Sequence, residues 1–135
     1  MNKEKFSDTL LKVANKEEKV ETLINRLLSP EADELDQCEK LSMQAFCCAL
    51  LADITKNIIQ IKQYINECCE YLNDAFDLNA DSFVCRLIRI MVETNMHDAT
   101  FTSHIQEDAA FLRNYPGEVE EGYRTLAEYM LYNIR

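Results

Sequence analysis

The chain has 135 residues, 47 % hydrophobic and 28 % charged, a balance that suits one globular domain able to bury a core without disulfide or metal staples. Only two Gly and two Pro are present, too few turn residues for a β-sandwich or an α/β fold, so an all-α fold is expected. Twenty-four Asp and Glu against 14 Lys and Arg leave a net charge of −10, which disfavours direct binding to nucleic acid or to an anionic membrane surface, since both are gripped through Lys and Arg on phosphate.

The first residues, Met1 to Phe6, lack the apolar core of a signal peptide, and no run approaches the roughly 18 apolar residues of a membrane span. A cytoplasmic protein is the expectation, with its six cysteines reduced. Lys3 to Leu28 is helical. Phe6, Leu10, Val13, Val20, Ile24 and Leu27 keep one heptad register, but Glu17 falls in the seam. Two helices are therefore favoured, with a break near Asn15, which would cap the second with Glu18 three residues on. Ser29-Pro30 is a helix start, and Glu31, Asp33 and Glu34 suit the positive end of a helix dipole. Asp36 and Glu39 extend that acidic face, which reads as capping and solvation before it reads as a binding patch.

The strongest pattern lies in Ser42 to Phe76, a stretch without Gly or Pro. Leu51, Ile54, Ile58, Ile61, Ile65, Cys68, Leu72 and Ala75 recur at alternating steps of three and four, a heptad seam. A single helix over Glu31–Phe76 would be about 70 Å long. A compact domain of this size is roughly 37 Å across. Either the helix breaks, with Asp53 to Asn57 offering the cap chemistry, or it protrudes and needs a partner along its seam. After a connection at Phe76–Ser82, a helix carries Phe83, Val84, Leu87, Ile88, Met91 and Val92 inward, Arg86 and Arg89 outward, and ends near Thr94 to His97. Asp98 or Thr100 caps the next, which carries Phe101, Ile105, Ala109 and Leu112. Asn114-Tyr115-Pro116-Gly117 is the clearest break, and a last helix runs from about Glu118 to Ile134. The fold class expected is a single-domain helical bundle of five to seven helices over residues 1–135, organised around a long central apolar helix or helical hairpin.

Candidate chemistry is sparse. The doublets Cys47-Cys48 and Cys68-Cys69 lack the spacing of zinc ligands, and five of the six cysteines fall within apolar helix pattern, where a thiol is a small hydrophobe. Cys85 has Arg86 and Arg89 nearby in sequence but no His or Gly-rich cradle. His97 follows Glu93 by four residues, and His104 precedes Glu107 and Asp108, so carboxylate and imidazole share helix faces. Glu67 and Glu70 form an E-x-x-E pair, half of a two-pair magnesium pattern whose second half is missing. Tyr64 and Tyr71 flank the main seam, and Tyr129 and Tyr132 lie off the last helix's apolar stripe; all four are interface candidates.

The expected function is that of a small acidic protein-binding module without catalytic activity or cofactor. It would act through homodimerisation or by masking a basic partner, as an inhibitor or immunity protein does. The competing expectation is a metal-dependent helical-bundle enzyme or metal-binding protein using Glu67, Glu70, Glu93, His97 and His104. Metal content and oligomeric state separate the two.

Overall fold

The computed structural model describes residues 4–95 and 104–134. Among these the chain forms seven α-helices and one 3-10 turn, so the all-α reading holds. Helix α1 (Phe6–Ala14) buries Phe6, Leu10 and Val13 on one face. It stops at Asn15. Lys16 turns into the left-handed region with φ 63°, and the amides of Lys16 and Glu17 fold back onto the carbonyls of Val13 and Lys12. The break falls where the Asn15 signal places it, but Asn15 closes α1 instead of capping α2. Helix α2 (Val20–Leu27) begins at Lys19, which makes no side-chain cap. Arg26 then straps three pieces together: it donates to Thr9 of α1 and to Glu31 beyond α2, both at 2.7 Å, and lies 4.1 Å over the Phe6 ring.

Ser29-Pro30 starts only a 3-10 turn, Pro30–Glu34, with the Ser29 hydroxyl accepting from the Glu31 amide. The next helix needs its own start, and Asp36 with Glu39 supplies a reciprocal capping box. Helix α3 (Gln37–Ile54) ends as the Thr55 hydroxyl donates to the Leu51 carbonyl. Asn57 accepts from the amides of Ile59 and Gln60 and starts α4 (Ile58–Leu78). The central stretch is thus a hairpin, broken inside the Asp53–Asn57 window by Thr and Asn side chains that offer the backbone an alternative to helix. At about 30 Å, a helix the length of α4 fits the domain.

Burial is distributed differently from the seam. Met43, Ala45, Phe46, Cys47, Cys48 and Ala49 make α3 apolar nearly all round. With Leu87, Ile88, Ile90, Met91 and Val92 of α5 (Phe83–Asn95) they form the centre. On α4 only Cys68, Leu72 and Ala75 are buried, and the seam residues Ile54 and Ile58 are 64 % and 71 % exposed. The reason is the third helix. Ala75 packs with Cys38 of α3 and Cys85 of α5, whereas among the described residues no such cluster forms at the turn end of the hairpin. Helix α6 (Ile105–Arg113) lies on α5, and α7 (Glu121–Tyr132) on α1 and α5. Gly122 sits where α7 meets α1. A Cβ there would be 2.7 Å from the carbonyl carbon and oxygen of Ser7, so glycine is what allows the approach. His97, Asp98, Thr100 and Phe101 lie outside the described residues.

Candidate functional site

The sequence candidates separate in space. Glu67 and Glu70 occupy the exposed face of α4, where a Glu67 oxygen accepts weakly from the Cys48 thiol at 3.6 Å. Glu93 and His104 do meet. The Glu93 carboxylate, buried on α5, takes the His104 ring nitrogen Nδ1 at 2.7 Å and accepts from the His104 amide at 3.1 Å. Burial pushes the Glu93 carboxyl up, while His104 and Arg89 pull it down. Among the described residues no three His, Cys, Asp or Glu converge as a metal site, and His97 lies outside them.

Glu107 and Asp108 engage arginines. Arg89 grips Asp108 with Nε at 2.8 Å and Nη2 at 2.7 Å, and Arg86 adds Nη1 at 3.1 Å. The same arginines hold Glu107 at 3.2 and 2.8 Å. Their guanidinium groups stack on Phe76, Arg89 at 3.7 Å, and Arg86 also covers Phe111 at 4.6 Å. Arg86 and Arg89 therefore do not face outward as the helical pattern indicates; they fold down over aromatic rings to reach a buried carboxylate. Burial pushes the thiols of Cys47, Cys48, Cys68 and Cys85 up to about 12, and at Cys85 the pull of Arg89 is the weakest influence. These are packing thiols. Tyr64 and Tyr71 are half-buried on α4, and Tyr129 and Tyr132 are exposed on α7.

A different constellation is assembled by the fold. A cavity of about 400 Å³ opens between the start of α1, the turn before α3, the α4–α5 turn and the approach to α7. Among the described residues its carboxylates are Glu34, Asp36, Glu39, Asp81, Glu118 and Glu120, and its one cation is Lys5, 3.8 Å from Glu120. Phe6, Phe83, Tyr115 and Tyr123 supply aromatic surface, with Phe83 and Tyr115 edge to face at 5.0 Å. Asp36 and Glu39 each give one oxygen to the capping box, at 2.7 and 3.0 Å, and keep the other. Burial pushes the Glu39 carboxyl up, with the nearby Asp36 and Glu120 charges adding to the effect. Tyr123 lines the same cavity and is only 4 % exposed as a residue. Burial pushes the Tyr123 phenol up, with the charges of Glu39, Glu120 and Asp36, all in the wall of this cavity, adding to the effect.

Four separate stretches of chain build this site, so no local spacing joins them. The acidic run from Glu31 to Glu39 is the one local signal, and there the cap and the patch turn out to be the same residues. Comparison with protein-family models, curated proteins and solved structures finds no match, and the functional reading rests on these residues alone. Fold and site together define an acidic all-α bundle with an aromatic-floored, anionic cavity.

Proposed function

We propose that this chain is a non-enzymatic protein-binding module that masks a basic partner, in the manner of an inhibitor or immunity protein. The observation that supports this reading is the cavity, where six carboxylates face one lysine over an aromatic floor. In a site partly shielded from water, that charge draws a cation more strongly than the same carboxylates spread over a surface. The net charge of −10 adds long-range steering toward basic surfaces. The cytoplasmic setting is supported by six cysteines held as free thiols. A homodimer is the second reading, supported by Ile54, Ile58 and Ile59 exposed together at the tip of the α3–α4 hairpin.

The test is a calorimetric titration with a lysine-rich peptide at several salt concentrations. The double variant Asp36→Asn, Glu39→Gln is compared with Glu67→Gln, Glu70→Gln. Asn and Gln preserve the capping box, so both variants remove two charges without removing a helix start. Binding that falls with salt, and falls further in the cavity variant than in the α4 variant, supports the reading. Binding indifferent to salt, or equal loss in both variants, overturns it.

A further inference from the structure

The turn end of the α3–α4 hairpin carries apolar surface that stands exposed. Ile54, Ile58 and Ile59 crowd there, and among the described residues none of them packs against the core. Beside them a groove of about 820 Å³ runs between the α1–α2 turn and the end of α3, with Val13, Val20, Leu50 and Ile54 as its apolar wall. Ile54 belongs to both features, so the protruding isoleucines and the groove form one continuous patch. A knob and a hole side by side suit a two-fold contact between identical chains, since each copy then gives one and receives one.

Charge narrows the occupant. The groove lining holds Glu17, Glu18, Glu21 and Asp53 against Lys16 and Lys19, a surplus of two negative charges. The tip outside it holds Lys56 and Lys62, both exposed, a surplus of two positive charges. Tip and groove therefore attract, and together they sum to zero in a chain whose net charge is −10. Two copies repel each other over most of their surface and meet here with least repulsion. A strongly basic partner gains nothing from a neutral patch. Among the described residues none of these eight charges forms an ion pair within the chain, so all are free to pair across a contact.

We infer that the hairpin tip is a dimer interface: Ile58 and Ile59 of one copy enter the groove walled by Val13, Val20, Leu50 and Ile54 in a second copy, and Lys56 and Lys62 lie against its acidic rim. The inference rests on the homodimer reading and adds the surface and the manner of docking. The acidic cavity lies at the other end of the hairpin, where α3 begins and α4 ends, about 27 Å away along α3, so pairing at the tip leaves it open.

The test is sedimentation velocity of the full chain over a concentration series, at low and at high salt. The expected result is a reversible monomer–dimer equilibrium. Ile58→Asp should weaken it about a hundredfold, because burying one exposed Ile is worth roughly tenfold and a two-fold contact uses it twice. Asp at the first residue of α4 suits a helix start, so the fold is kept. Lys56→Glu should also weaken the dimer, and its effect should shrink at high salt. Melting temperatures of both variants, taken where every form is monomeric, should match wild type, since exposed side chains are replaced. A dimer that keeps wild-type affinity in Ile58→Asp overturns the inference while the homodimer reading stands with its interface elsewhere. A chain that stays monomeric at every concentration ends both and leaves the basic-partner reading untouched. A monomeric chain that floats with phosphatidylcholine vesicles, and no longer does so as Ile58→Asp, assigns the patch to a lipid surface and also overturns the inference.

Discussion

Replacing Asp108 with Ala should be among the most destabilising single changes available in this chain. The carboxylate is fully buried, while the two arginines that hold it, Arg86 and Arg89, keep 13 % and 11 % of their side-chain surface in water. Three charge-assisted hydrogen bonds end on it, at 2.7, 2.8 and 3.1 Å. Removing one partner of a buried ion pair costs about 3–5 kcal/mol, because the remaining charge stays desolvated. The low end applies here. Glu107 still accepts from both arginines, although it is largely exposed, and an exposed pair contributes at most about 1 kcal/mol. A loss of about 3 kcal/mol in a domain of this size lowers the melting temperature by roughly 10 °C. Urea denaturation at neutral pH, with an unchanged m-value, measures it directly. Glu107→Ala serves as the comparison and should stay within about 1 kcal/mol of wild type. Adding Arg89→Leu to Asp108→Ala should recover part of the loss, since it removes a stranded cation that would otherwise sit against Phe76. An Asp108→Ala protein within about 1 kcal/mol of wild type would refute the account. So would a Glu107→Ala protein that loses as much as Asp108→Ala.

Three further outcomes follow from the packing. Gly122→Ala should cost about 2 kcal/mol, because the added carbon meets backbone atoms of Ser7 and α7 must move off α1; an unchanged melting temperature would show that the two helices approach less closely. Alkaline stability should fall early. Cys47, Cys48, Cys68 and Cys85 have folded values near 12 against an ordinary 9.0, so the unfolded chain loses these protons first. Their contribution is complete below pH 9 and is lost progressively as pH rises toward 12. Urea midpoints taken upward from about pH 8 should decline, and Cys68→Ala should make the decline shallower. An aromatic disulfide reagent should modify Cys69, the one partly exposed thiol, quickly and the other five only as fast as the structure opens; six equal rates would contradict the burial pattern.

The parts of this fold that were legible in the sequence are those decided within a few residues. Scarce Gly and Pro, the break at Asn15, the cap at Asn57 and the inward stripe of α5 all depend on backbone hydrogen bonds and side-chain periodicity, which act over one or two turns. The heptad seam shows where that reasoning stops. Its period established that Ile54, Ile58 and Ala75 share a helix face or its continuation, but whether that face is covered depends on a third helix. Cys85 of α5 arrives beside Ala75, whereas Ile58 stays 71 % exposed with no comparable neighbour among the described residues. Arg86 and Arg89 read as solvent-facing because their charge is unpaired along α5. Asp108, 19 residues beyond Arg89, reverses that by offering a carboxylate across the helix pair. The cavity is the extreme case, since Asp36, Asp81, Glu120 and Tyr123 come from stretches with no common period and become neighbours only when α1, α3, α5 and α7 close around one point. Local chemistry determined the helices and their ends. Long-range packing alone decided which faces, charges and hydroxyls they present to one another, because burial and electrostatic pairing depend on distance in space and not on distance along the chain.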